Sequence, residues 1–105
     1  MKKILLILVL VVTVGISSNP ISNDCKFNGK KLSGKVRIVQ AFGDVKVRAV
    51  QAFEDIKVLN LSYASSLASC GEWTFVQAGE DFTIQFVEAF EDLKIRFVQA
   101  FPGIN

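Results

Sequence analysis

A unit of eleven residues recurs along this chain. Each copy is too short to bury its own apolar face, so the copies must cover one another. Residues 34–44 read GKVRIVQAFGD, 45–55 read VKVRAVQAFED, and a third copy (56–69) opens as IKVLNL before degenerating. Residues 71–81 (GEWTFVQAGED), 82–92 (FTIQFVEAFED) and 93–103 (LKIRFVQAFPG) form a second triplet, in which 71 corresponds to 34, 82 to 45 and 93 to 56. The chain is two triplets of one unit joined by a short irregular insertion.

Positions one to five of a unit alternate. Val45, Val47 and Ala49 fall in one phase and Lys46 and Arg48 in the other, and Phe82, Ile84 and Phe86 alternate with Thr83 and Gln85. This is the period of a half-buried strand, in β-branched and aromatic residues. An eleven-residue repeat can also wind helices into a right-handed supercoil, but helices need apolar spacings of three and four. Alternation ends at position six, as in Phe86-Val87, and an extended unit would span about 36 Å, so each unit bends. The bend falls in the Gln-Ala-Phe-Glu-Asp segment. Asp44, Asp55, Asp81 and Asp92 close it by bonding their own turn. Phe42, Phe53, Phe90 and Phe101 are expected to turn inward at these corners, with Gly79 standing in for the fourth copy's Phe. The shared phase predicts one core of Val36, Ile38, Val47, Val58, Trp73, Phe75, Ile84, Phe86, Ile95 and Phe97. It predicts Lys35, Arg37, Lys46, Arg48 and Arg96 exposed on the other face.

Five regular units of this form, with Lys30-Lys31-Leu32 before the first, Cys70-Gly71-Glu72-Trp73 opening the second triplet and Phe101-Pro102-Gly103 at the end, resemble the septoil-knot domain family. The likeness covers about residues 30–103 and departs from the pattern at 60–69. It implies small, often exported bacterial proteins whose backbone forms a seven-crossing torus knot, with no assigned enzyme activity or ligand. The expected fold is therefore all-β and compact: short strands from two interleaved triplets, deeply knotted. The alternatives are an unknotted β-solenoid or a small β-sandwich.

Charge supports interleaving. Residues 18–57 carry eight basic and four acidic side chains, and residues 58–105 carry two basic and six acidic. Oppositely charged halves are expected to pack together.

Lys2 and Lys3, an apolar run from Ile4 to Val14 broken by Thr13, and the small Gly15 and Ser17 have the pattern of a secretory signal peptide. Cleavage after Ser17 is expected, leaving an arm at 18–33 and one domain at 34–105. A retained anchor is disfavoured because the run is shorter than the roughly 20 apolar residues a bilayer requires. Lipid attachment at Cys25 is disfavoured because Ser22-Asn23-Asp24 lacks the apolar and small residues such a site needs. Cleavage removes two lysines and leaves a neutral protein, which argues against a nucleic-acid partner. The expected location is the periplasm or the extracellular space, with no membrane contact after cleavage.

In an oxidising compartment, Cys25 and Cys70 are expected to pair. The chain has no His, which removes the commonest general base, the commonest metal ligand and every Ser-His or Cys-His pair. The repeated Asp could form a calcium ladder, but calcium-binding repeats are Gly-rich at the turn. The Glu54-Asp55, Glu80-Asp81 and Glu91-Asp92 pairs recur at every corner, as a scaffold would have them, not as one glycosidase pair. Trp73 aligns with the apolar Val36, Val47, Ile84 and Ile95, so a core anchor is favoured over a sugar platform. These readings predict no cofactor, metal or catalytic residue. They leave a structural exported protein, or a module presenting its corners to an envelope protein or glycan.

Overall fold

The computed structural model describes residues 19–63 and 68–104. The expected signal peptide lies outside them, as do residues 64–67 of the irregular insertion. The elements are β1 (Lys26–Phe27), β2 (Lys30–Lys31), β3 (Gly34–Ile38), β4 (Val45–Ala49), β5 (Ile56–Asn60), β6 (Glu72–Phe75), β7 (Phe82–Phe86) and β8 (Leu93–Phe97). β1 and β2 form a small antiparallel ribbon in the arm, and β3 to β8 close into one parallel barrel.

The order around the barrel is β3-β6-β5-β8-β4-β7, so every strand of one triplet lies between two strands of the other. Interleaving is complete. Each strand is displaced by two residues from its neighbour, always in the same sense: Gly34 faces Trp73, Val36 faces Phe82, Val45 faces Ile84 and Val47 faces Leu93. Equal steps place equivalent positions of the six strands at equivalent heights on the barrel. A stagger this steep also means that each strand pairs with one neighbour through its first residues and the other through its last.

The same register shows what the corners do. Ile38 ends β3 opposite Ile84, and Val45 opens β4 opposite the same Ile84, on the other side of β7. The segment joining β3 to β4 therefore crosses over β7. By the same reading 50–55 crosses β8, 76–81 crosses β3, 87–92 crosses β4, and 98–103 lies over β5. Each triplet straps down the strands of the other. Position six adds a last ladder bond before the crossing, as in Val39 N–H to Ile84 O at 2.9 Å and Val87 N–H to Val47 O at 3.0 Å. This is why alternation stops there.

Positions one and three fill the interior: Val36, Val45, Val47, Ile56, Val58, Trp73, Phe82, Ile84, Leu93 and Ile95 are all buried. Position five departs from expectation. Ile38, Phe86 and Phe97 are 46, 43 and 43% exposed, and Phe75 is only partly buried. These side chains share the inward phase but sit at the C-terminal mouth, where the barrel ends and no described residue caps them. The N-terminal mouth is plugged by Leu32, Ile21 and Cys25 from the arm. Of the basic side chains expected in solvent, only Lys46 is exposed; Lys35, Arg37, Arg48 and Arg96 are partly covered.

Cys25 and Cys70 form a disulfide with Cα atoms 5.8 Å apart, tying the arm to the start of the second triplet. Closing a loop across 45 residues contributes about 4 kcal/mol in the chain-entropy account. Gly71 follows because nothing larger fits: a Cβ there would overlap the Lys57 carbonyl and the Gly103 amide.

Candidate functional site

Each regular crossover carries two kinds of group, one bound to the strand beneath and one released to solvent. The bound group is the Glu-Asp pair. Asp81 accepts from the backbone N–H of Lys35 (2.8 Å), Asp92 from Lys46 (2.9 Å), Asp55 from Lys94 (2.8 Å) and Asp44 from Thr83 (2.9 Å). The expectation that each Asp bonds its own turn is corrected: each reaches the strand it crosses, in the other triplet. The crossing lays the carboxylate beside a backbone N–H at the second position of that strand, nearer than its own turn.

The preceding Glu pairs with the Arg at position four. Arg37 meets Glu80 at 3.1 Å, Arg48 meets Glu91 at 3.1 Å and Arg96 meets Glu54 at 3.0 Å. Where the first crossover has Gly43 instead of Glu, the strand beneath has Gln85 instead of Arg, and Gly43 N–H donates to its Oε1 at 3.2 Å. In the last crossover Pro102-Gly103 replaces Glu-Asp, and Gly103 exchanges backbone bonds with Lys57.

The hydrogen bond from Arg48 holds the Glu91 carboxyl down, from an ordinary 4.5 to about 2. Arg96 and Arg37 lower Glu54 and Glu80 in the same way, and the Thr83 backbone lowers Asp44. Because these folded-state values lie below the unfolded ones, the fold favours the ionised form. That stability is present above the unfolded value and is lost as pH falls through the folded one. The thermal midpoint is expected to hold from neutral pH to about 5 and to fall between about pH 4.5 and 2. Arg48→Gln should flatten that fall. Circular dichroism melts across the range check it, and a midpoint that rises on acidification would contradict it.

The released group is the Phe at position nine. Phe42, Phe53, Phe90 and Phe101 are 98, 91, 95 and 88% exposed, which corrects the expectation that they turn inward. Their φ angles are 57, 62, 61 and 58°, in the left-handed region that a bulky L-residue enters only at a cost of about 1–2 kcal/mol. That conformation reverses the chain so the Glu-Asp pair can drop onto the crossed strand, and it throws the ring outward. One sequence signal could have shown this: Gly79 stands where the other units have Phe, and its φ is +79°. A glycine interchangeable with a phenylalanine marks a left-handed bend with open space around it.

The four Phe lie over four adjacent strands. In barrel order, Phe101 lies over β5, Phe53 over β8, Phe90 over β4 and Phe42 over β7. The bends leave the C-terminal ends of the strands and return across the barrel wall: Gly43, next to Phe42, packs over Ile84 and Gln85 in the middle of β7, and Phe101 lines a cleft with Lys57 and Arg96. At the C-terminal mouth itself, Ile38, Phe75, Phe86 and Phe97 are exposed or partly so. Phe75 and Phe97 meet there with ring centroids 6.4 Å apart. The position-five residues of this rim were assigned to the core in the sequence reading, since phase alone does not say where a barrel ends.

The remaining expected residues lie elsewhere. Trp73 is fully buried at the plugged end, donating Nε1–H to Leu32 O at 2.9 Å, with the Phe82 ring at 5.5 Å. Among the described residues, no three His, Cys, Asp or Glu side chains gather closely enough to hold a metal ion.

Six parallel strands taken alternately from two triplets, each strapped by the other's crossovers, define a class of interleaved repeat barrels. The family model of the 7(1) septoil knot domain matches residues 29–105, and the chain belongs to that family. No curated protein matches the chain.

Proposed function

We propose that the chain is an exported, non-enzymatic binding module, in which a knotted barrel holds four phenylalanine rings rigidly in solvent. The observation that carries this reading is the four phenylalanines, each almost wholly exposed and each in a left-handed conformation. Strained backbone and exposed large apolar side chains together are what a recognition surface retains at the expense of stability. The disulfide is consistent with an oxidising compartment, and the family with the knot. A purely protective role would explain the barrel but not the exposed rings.

Stability and binding are expected to separate. Phe53→Gly or Phe90→Gly relieves about 1–2 kcal/mol of left-handed strain and adds about 0.5–1 kcal/mol of unfolded-state entropy. Each variant should therefore unfold at the same denaturant concentration as the parent or up to about 1 kcal/mol later. In-cell cross-linking should lose adducts formed by the parent. Variants that are strongly destabilised, with unchanged adducts, would make the phenylalanines structural and end this reading. The knot has its own test: pulled from both termini, the unfolded chain should stop short of the roughly 3.3–3.6 Å per residue of a free chain.

A further inference from the structure

We infer that the cleft between the arm's ribbon and the start of β3 binds a sugar acid, such as a hexuronate unit of an acidic glycan. This site makes no use of the four phenylalanines, so its failure would leave the function proposed above standing. Three observations point to it.

The first is a buried hydroxyl without a partner. Gly29, Lys30, Lys31, Ser33 and Asp81 line a cleft of about 300 Å³, within the range of small-ligand sites. Ser33 is 7% exposed and is the one buried polar side chain among the described residues. Its hydroxyl makes no hydrogen bond to any of them. Buried polar groups are ordinarily satisfied, and one that lines a cleft can be satisfied by what enters it.

The second is unspent charge of both signs. Asp81 spends Oδ2 on the Lys35 N–H at 2.8 Å, and its other oxygen has no partner among the described residues. Lys30 and Lys31 are exposed, and neither forms an ion pair with a described residue. The carboxyl of Asp44 is held down by the Thr83 backbone first and by Lys30 last, from a distance. Two ammonium groups call for an anion, whereas a carboxylate oxygen accepts from a neutral donor and repels a second anion. A sugar acid supplies both functions: a carboxylate for the lysines, and hydroxyls for Asp81 and Ser33. A phosphate dianion brings too much charge to Asp81, and a neutral sugar leaves the lysines unused.

The third is the one break in the pattern of rings. Asp81 ends the crossover over β3, and position nine of that unit is Gly79, where the other corners carry exposed phenylalanines. A Cβ at Gly79 would meet nothing within 4 Å. Of the four corner aspartates, Asp81 alone has no ring two residues before it. The outer side of this crossover is open, with room for a longer glycan to continue.

The test is an NMR titration of the isotope-labelled full chain, disulfide formed, with glucuronate, glucose and inorganic phosphate in separate arms. Glucuronate should shift the amides of residues 29–33 and of Asp81 saturably, with an affinity that falls at high salt. Glucose and phosphate should each bind at least about tenfold more weakly. Ser33→Ala should lower glucuronate affinity about three- to tenfold, the worth of one hydrogen bond, and Lys30→Gln/Lys31→Gln about tenfold or more. Neither variant should lower the urea midpoint, since an unpartnered hydroxyl and exposed lysines hold nothing in the fold. The absence of a saturable shift with glucuronate overturns the inference. So does phosphate binding as tightly, which would make this a general anion site, and so does glucose binding as tightly, which would leave the lysines without a part. A Ser33→Ala variant that loses stability and keeps its glucuronate affinity makes the hydroxyl structural and also overturns it.

Discussion

Expressed as two separate chains, residues 18–66 and 67–105 are each expected to remain unfolded, with collapsed amide dispersion in NMR spectra. The ground is the strand order. β3, β4 and β5 form no barrel pairs among themselves, and neither do β6, β7 and β8. Separating the triplets therefore removes every barrel hydrogen bond between strands, every Glu–Arg pair between halves and the disulfide. What remains is the arm's two-residue ribbon in one chain and, in both, segments of four or five residues with no barrel neighbour, far below what a sheet needs to persist in water. The loss is total, where a domain divided between two independent cores would lose little. A dispersed spectrum from either chain alone would show that the triplets are self-sufficient, and would remove the physical basis for the interlock.

Trp73→Ala is expected to cost about 3–5 kcal/mol, a large part of what holds a domain of this size together. Trp73 occupies position three, where the other units have Val or Ile. It is wholly buried, and its ring meets Phe82 and Phe75 edge-on, at 5.5 and 6.2 Å. Its indole N–H also reaches Leu32 of the arm, whose carbonyl accepts from Gly71 as well. The residue thus joins the barrel to its plug, and truncating it opens a cavity at the end that the arm closes. Trp73→Phe should cost less, since most of the packing survives and one hydrogen bond of about 1 kcal/mol is lost. Urea titrations followed by circular dichroism measure both, because the chain's one tryptophan is absent from the variants. An alanine variant within about 1 kcal/mol of the parent would mean that the plug and the barrel are energetically separate.

Much of this was legible in the residues themselves. Period-two alternation is a property of one strand, so five of the six barrel strands can be found from Val45-Lys46-Val47-Arg48 and its copies without knowing any neighbour. The third copy still opens as a strand, since Ile56, Val58 and their companions keep the phase up to Asn60. The opposite charges of the two halves pointed to contact between them, and Arg48 with Glu91 makes it. Two cysteines in a chain with an export pattern pointed to the bond that forms.

The errors share one cause. Phe42 and Phe86 look alike in sequence to the residues that fill the core, because a side chain's apolarity is local while its burial depends on what lies across from it. Phe86 keeps the inward phase yet stands at a mouth that no described residue caps, and Phe42 is carried outward by a backbone angle that its own side chain disfavours.

The sequence by itself determined the strands, their inward face, the two triplets and the pairing of the two thiols, because each follows from spacing or composition within the chain. Only the tertiary structure decided that Asp92 serves β4 instead of its own turn, that the phenylalanines face solvent, and that four of them fall over adjacent strands. Those facts depend on which strand each segment crosses. Near-identical units are locally interchangeable, so that choice is made by the closure of the barrel as a whole.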